Sequence, residues 1–355
     1  MGAKVMGAAR SRAEISRRSV LRGSAAGLAG ACVFSPAVLR AAPTTIRFAN
    51  GGAIAPNEIE TLMTVEFFQK NVLPRYGKDY ELSATFTRGT PEAAALMAAG
   101  QADLACLSFP IFAASVLKDA VPGGMSIIAD VFQDARKGYA SNTFFVLDDG
   151  PKTIADLKGK KVAINAFNSA VDLELRVVLK KNGLDPKRDV EIVEVGFPNM
   201  GPALREKRVD CAVMVLPFMA VETSKGGLRV LFTGADAFPP FTVVFMAARN
   251  DFIKEHGDAV KAWVEDYVAM LTWLYTPANR AKAVEVTAAF TKSPADVLDT
   301  YFLTPSDYYR DPSGCISAQT LQPAIDAMTK EGFLPGPVDM GKYIDTSFLP
   351  HPCKA

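Results

Sequence analysis

The residues best placed to do chemistry lie at one junction. Val162-Ala163-Ile164 reads as a short buried strand and Asn165 to Ser169 as a polar loop. Ala170 to Lys181 reads as a helix with Val171, Leu175, Val178 and Leu179 on one face. Asn168 or Ser169 would cap that helix, whose first N–H groups have no partner within it and would face whatever sits above the strand end. Such a start attracts anions. The chemistry on offer is recognition of a small anionic or polar molecule; the competing reading is an ordinary capped helix of an α/β fold. Catalytic and metal chemistry find little support. The 355 residues include two histidines, His256 and His351, and no Cys-x-x-Cys pair, Cys/His cluster, Gly-x-Ser-x-Gly, phosphate-binding loop or dinucleotide fingerprint. No metal and no cofactor are expected.

The elements that position this junction recur along the chain. Thr153 is placed to cap Ile154 to Leu157, and a Lys158-Gly159-Lys160-Lys161 turn leads into the strand. Earlier, Thr45–Ala49 alternates as a strand, Asn57 to Lys70 reads as a helix, and Tyr80 to Phe86 as a second strand. Pro91 to Ala99 reads as a short helix with Thr90 as its cap, and Leu104 to Leu107 as a third strand. This β-helix-β-helix-β order argues a parallel sheet. After a further strand, Ser141 to Leu147, the pattern begins again. Strands are expected at 162–164, 190–195 and 211–215, and helices at 170–181 and 201–207. Each half contains a short helix, then an aspartate, Asp103 or Asp210, then an apolar strand and a loop with proline. The halves therefore read as two similar α/β lobes presenting strand-end loops to a shared cleft. Further strands follow at 230–233 and 242–247; a helix over 258–275, set off by a break at His256-Gly257, and others to residue 331 complete the chain.

Composition bounds the partners. Residues 1–42 carry seven of the 39 basic and one of the 38 acidic side chains, so without them the balance falls from +1 to −5. A mildly acidic protein argues against nucleic acid. Ser16-Arg17-Arg18-Ser19-Val20-Leu21-Arg22 is close to the twin-arginine export pattern and precedes a Gly/Ala-rich apolar run. Residues 1–42 are therefore expected to be a signal peptide, cleaved near Ala41 or Ala42, and the protein periplasmic. In that oxidising compartment four cysteines remain. Cys106 and Cys211 read as buried thiols in strands. Cys315 and Cys353 sit in Pro/Gly-flanked loops, where a disulfide and two free thiols are both open readings.

Read together, AALMAAGQADLACLS, TIADLKGKKVAINAFNSAVDLELRVVLKKNGLD, ALREKRVDCAVMVLP and TVVFMAARNDFIKEH resemble the solute-binding proteins of nitrate/sulfonate/taurine-type ABC importers, a group with thiamine-pyrimidine-synthase-like relatives. The resemblance covers nearly all of the chain after the signal. It implies an α/β, two-lobed class II periplasmic-binding fold, each lobe a mostly parallel sheet flanked by helices, with two hinge crossovers. Lobe 1 would comprise residues 43–140 and 237–355, the latter with C-terminal helices, and lobe 2 residues 141–236. It also implies a monomer without enzyme activity that closes on a small molecule and delivers it to an ABC permease in the inner membrane. The site residues it implies are the strand-end loops: Asn50, Gly51, Arg88, Gly89, Thr90, Ser108, Phe109, Asn168, Ser169, Ala170, Asn199, Pro217 and Phe218. Among these, Arg88 is the candidate for a charge-assisted contact to a carboxylate or sulfonate. Loops that pair Phe and Pro with few charges favour an organic, aromatic or aliphatic, anion over nitrate. An exported enzyme on the same fold and a periplasmic sensor are the alternatives.

Overall fold

The structure is a computed structural model and describes residues 42–51 and 57–353. The export signal read over residues 1–42 falls, apart from Ala42, outside the described residues. Among the described residues ten strands run β1 (Thr44–Ala49), β2 (Tyr80–Thr85), β3 (Leu104–Ser108), β4 (Met125–Asp134), β5 (Thr143–Leu147), β6 (Lys161–Ile164), β7 (Glu191–Glu194), β8 (Cys211–Met214), β9 (Leu228–Thr233) and β10 (Phe241–Arg249). Helices α1 (Glu66–Asn71), α2 (Thr90–Ala98) and α3 (Phe109–Leu117) accompany the first strands; α4 (Ala170–Lys181), α5 (Met200–Arg205), α6 (Phe218–Ser224) and α7 (Gly234–Ala237) accompany the middle ones. The chain ends with α8 (Asn250–Leu274), α9 (Arg280–Thr291), α10 (Ala295–Tyr301) and α11 (Ala318–Lys330).

The strands form two five-stranded sheets in the orders β2-β1-β3-β10-β4 and β7-β6-β8-β5-β9. Both sheets are mixed. In the first, β1 is parallel to β2 and β3, and β10 runs antiparallel to β3 and β4. In the second, β6 is parallel to β7 and β8, and β5 runs antiparallel to β8 and β9. The antiparallel strands are the ones next to the passages from β4 to β5 and from β9 to β10, where the chain leaves one sheet and enters the other. The repeated aspartates have the same structural role in both sheets. Asp103 accepts the Arg47 N–H at 2.9 Å and its own N–H donates to the Arg47 carbonyl at 2.8 Å; Asp210 does the same with Lys161, at 2.9 and 2.8 Å. Each carboxylate thus pins the turn before one strand to the neighbouring strand.

The stretch 57–70 is not one helix. A 3-10 turn over Ile59–Thr64 is separated from α1 by Val65, whose backbone is extended. The break read at His256 is a kink inside α8, at φ −133° and ψ 34°. Beyond it α8 buries Trp263, Tyr267 and Leu271, with Trp263 stacked on Tyr267 at 5.5 Å. Its Asp266 carboxylate accepts the N–H groups of Arg75 and Tyr76 and the Tyr80 hydroxyl, at 3.0 to 3.2 Å, tying the loop before β2 to the helix. α11 packs on α3 and β10, and Cys315 and Cys353 are joined in a disulfide that encloses it. Among the described residues no helix is long and apolar enough to cross a membrane.

Three buried aspartates give this fold an acid-leaning stability. Burial pushes Asp130 up to about 7 and Asp134 and Asp266 up to about 6, from the ordinary 3.8. A carboxyl raised in the folded state keeps its proton where the unfolded chain has lost it. Stability from these groups is therefore present below about pH 4 and lost as pH rises through 6 to 7, at about 1.4 kcal/mol per carboxyl for each pH unit. Surface carboxylates held low by their partners, such as Asp156 at the Thr153 cap, lose their contribution only on the acid side of that window. Urea unfolding between pH 5 and 8 should show the unfolding free energy falling as pH rises, and Asp134→Asn should flatten the slope. A curve rising across the whole range contradicts this.

Candidate functional site

The carboxyl ends of the parallel strands in both sheets converge on one small cavity, as open α/β sheets direct their ligands. From the first sheet come Gly51 after β1, Asn57 and Glu58 before the 3-10 turn, Thr90 at the start of α2, Ser108 at the end of β3, Phe132 of β4, and Val243 and Val244 of β10. From the second come Asn142 before β5, Asn165, Ser169, Ala170 and Val171 between β6 and α4, Phe197 after β7, and Val215 after β8. The free volume is about 50 Å³, the space of three to five waters at about 10–15 Å³ each. The walls are close together: a Cβ on Gly89 would lie 3.5 Å from the Asn165 side-chain nitrogen.

The lining is neutral and rich in donors. The hydroxyls of Thr90 and Ser108 are bonded to one another at 2.8 Å. Across the cavity the Ser169 hydroxyl donates to Asn165 Oδ1 at 2.8 Å, and its oxygen accepts the Asp172 N–H at 3.3 Å as the cap of α4. Ala170 and Val171 are the first two residues of that helix, so their N–H groups have no intrahelical acceptor. α2 and α3 also begin here, each with a proline in its first turn, adding their positive dipole ends. Among the described residues no Lys, Arg or His lines the cavity, and the one carboxylate there, Glu58, accepts the Gly51 N–H at 3.0 Å. Gly51 itself admits no side chain: a Cβ would sit 2.8 Å from the Cys106 carbonyl oxygen and 2.9 Å from Thr90 Cγ2. Gly51→Ala should therefore lower stability by about 1–3 kcal/mol through overpacking and weaken ligand capture; equal melting and equal affinity for variant and wild type would refute this tight fit.

A buried polar cluster sits where the chain passes between the sheets. Asn142 donates its N–H to Asp134 at 3.0 Å and its side-chain amide to Glu174 of α4 at 3.0 Å, and accepts the Tyr308 hydroxyl at 3.1 Å. Gly234, on the return passage, donates to the Asn142 carbonyl at 2.9 Å. Burial, then the nearby Asp134 charge, push Glu174 well above the usual carboxylate range. The cluster joins both passages to α4, whose start lines the cavity.

The strand-end residues read from sequence divide into two groups. Gly51, Thr90, Ser108, Ser169 and Ala170 line the cavity. Asn50 lies behind it, fully buried, accepting the Thr87 N–H at 2.6 Å and so shaping the loop before α2. The others do not line it. Arg88 is turned outward because its own N–H and its Nε both bond Glu92, one turn into α2, and its side chain is 93% exposed. Phe109 is packed in the core between Phe238 and Phe241. Asn168, in the left-handed region at φ 65°, faces a separate outer groove of about 970 Å³ between α3, α4 and the end of α11. Asn199 is exposed, Pro217 is buried beside Val215, and Phe218 is half-buried in α6. Glu58, Asn142 and Phe132 were missed from the sequence, whereas Phe197, read there with Phe109, Phe167 and Phe218 as a residue for an apolar side of the cleft, lines the cavity. Asn165 was legible as the first residue past a strand; Glu58 was hidden inside an apparent helix.

Two mixed sheets of matching strand order, crossed twice by the chain and facing each other across a cavity, define the two-lobed class II periplasmic-binding fold. The same architecture is found in the alkanesulfonate-binding protein of Xanthomonas axonopodis pv. citri bound to MOPS, at a TM-score of 0.68 and 20% identity over 86% of this chain and 100% of that one. The chain belongs to the NMT1-like family, whose family model matches residues 64–288. A binding protein of Brucella abortus (strain 2308) is 30% identical over 158 residues, 44% of this chain and 48% of that one. An aliphatic sulfonates-binding protein of Escherichia coli (strain K12) is 25% identical over 207 residues, 58% of this chain and 62% of that one. The chain spans about half the length of the Brucella relatives it matches.

Proposed function

We propose that this protein is the periplasmic solute-binding component of an ABC importer, and that it captures a small organic anion, a sulfonate or carboxylate, between its lobes. In this reading lobe 1 comprises residues 43–140 and 237–355, and lobe 2 residues 141–236. Hinge bending at the two passages closes them, and the closed form, a monomer, hands its ligand to an inner-membrane permease. The supporting observation is the convergence of the helix starts at Thr90, Ser108 and Ser169 on a cavity whose donors are hydroxyls, side-chain amides and free N–H groups. A compact oxyanion fits that set. An ammonium group would meet the positive ends of three helices. With no cation among the described residues of the wall, the anion is held by neutral donors, which suits a singly charged headgroup; the apolar Phe132, Phe197 and Val244 suit an organic tail.

A thermal-shift screen of the purified protein against alkyl and aryl sulfonates, carboxylates, nitrate, bicarbonate and pyrimidines tests this. A ligand at a hundred times its dissociation constant should add about 2.7 kcal/mol of stability, and the stabilising ligand should be recovered chemically unchanged. Stabilisation by amines alone sinks the anion reading; turnover of the ligand favours the exported-enzyme alternative.

A further inference from the structure

Immediately behind the cavity wall lies a cluster that capture of an anion does not explain. Glu60 is fully buried on the 3-10 turn Ile59–Thr64, and neither of its carboxylate oxygens has a hydrogen-bond partner among the described residues. Beside it are Glu58 and the thiol of Cys106, which is fully buried in β3. One oxygen from each carboxylate and the sulfur lie within 4.8 Å of one another. A carboxylate as deeply buried as Glu60 needs a proton or a cation to balance it. The cation acting on Glu60 is Arg310, which is already paired with Asp307 at 2.9 Å.

We propose that Glu58, Glu60 and Cys106 bind a divalent transition-metal ion, zinc fitting best. The donor set selects the metal class. A thiolate excludes calcium and magnesium, which take oxygen ligands, whereas zinc takes sulfur and carboxylate together. Tetrahedral zinc with bonds of about 2.0–2.3 Å holds its ligand atoms roughly 3.4–3.8 Å apart, so donors within 4.8 Å of one another need to contract by no more than about 1.4 Å to close on the ion. Binding forms a metal–sulfur bond and releases the Cys106 proton to solvent, together with any proton on Glu60. Glu58 lines the cavity, so one of the three ligands stands at the cavity wall. The sequence carries no sign of this site, because its residues lie on separate segments and no metal-binding spacing joins them.

The test is titration of the purified, metal-stripped full chain with cobalt(II), followed by zinc. One equivalent of cobalt should produce a thiolate-to-cobalt charge-transfer band in the near ultraviolet, and one equivalent of zinc should abolish it. Cys106→Ser should remove the band, whereas Cys211→Ser, at the other buried free thiol among the described residues, should keep it. Glu60→Gln, equal in shape and uncharged, should weaken cobalt binding by about tenfold or more, and it decides the matter if Cys106→Ser fails to fold. No band in the wild type, a band unchanged in Cys106→Ser, or unchanged affinity in Glu60→Gln overturns the proposal. So does binding without the band, which places the metal at His256 or His351 as an adventitious ion only.

Discussion

Arg310→Met is expected to lower the unfolding free energy by about 3–5 kcal/mol, because it strands a buried carboxylate. Arg310 and Asp307 are paired at 2.9 Å with side chains only 1% exposed. Asp307 would keep the N–H groups of Leu303 and Tyr308, at 3.0 and 2.8 Å, but lose its cation. The arginine also donates to the Asn57 carbonyl at 3.3 Å, and Asn57 lines the cavity. The stability loss should therefore come with weaker ligand capture, which links a buried pair in the C-terminal third of the chain to the site at its start. Arg310→Met with Asp307→Leu should recover part of the stability, since the apolar pair needs no counter-charge while Glu60 still lacks the Arg310 cation. Denaturant unfolding of the three proteins measures this; a single variant within about 1 kcal/mol of wild type, or a double variant no better than the single, contradicts it.

The disulfide carries an effect of similar size. Cys315 and Cys353 are 38 residues apart, and closing a loop of that length in the unfolded chain gives about 4 kcal/mol in the loop-entropy model. The enclosed segment contains α11 and Ile344, which bridges Ile127 of β4. The bond therefore fastens the C-terminal tail to the first sheet. Reductant should lower the melting temperature of the wild type to that of the Cys315→Ser/Cys353→Ser variant, and leave that variant unmoved. A wild type with both thiols free that melts as before would refute the contribution.

Local signals made much of the fold legible. The strand, cap and helix expected around Ser169 are present as β6, the Ser169 cap and α4, because each depends on neighbours within a turn. Asp103 and Asp210 were visible as a repeat, although their task, holding the adjacent strand's N–H, emerges only once the strands pair. Distant pairing was not legible. β10 lies between β3 and β4, more than a hundred residues away in sequence, and nothing local specifies that. The site was half legible for the same reason. Strand ends mark the loops, but a side chain's direction follows from its partners. Glu92 turns Arg88 to solvent, and Phe238 and Phe241 draw Phe109 into the core. Cys106 was legible as a buried thiol, but its approach to Glu60 joins β3 to the 3-10 turn Ile59–Thr64, more than forty residues earlier in the chain.

The central claim is that a small anion binds where the starts of α2, α3 and α4 meet. Isothermal titration of the purified protein with the sulfonate or carboxylate that most stabilises it tests this most directly, run beside Ser108→Ala and Ser169→Ala. One site per chain is expected, with each hydroxyl loss weakening affinity by about 1–2 kcal/mol, or roughly five- to thirtyfold. One site of unchanged affinity in both variants would place the ligand elsewhere and contradict the account.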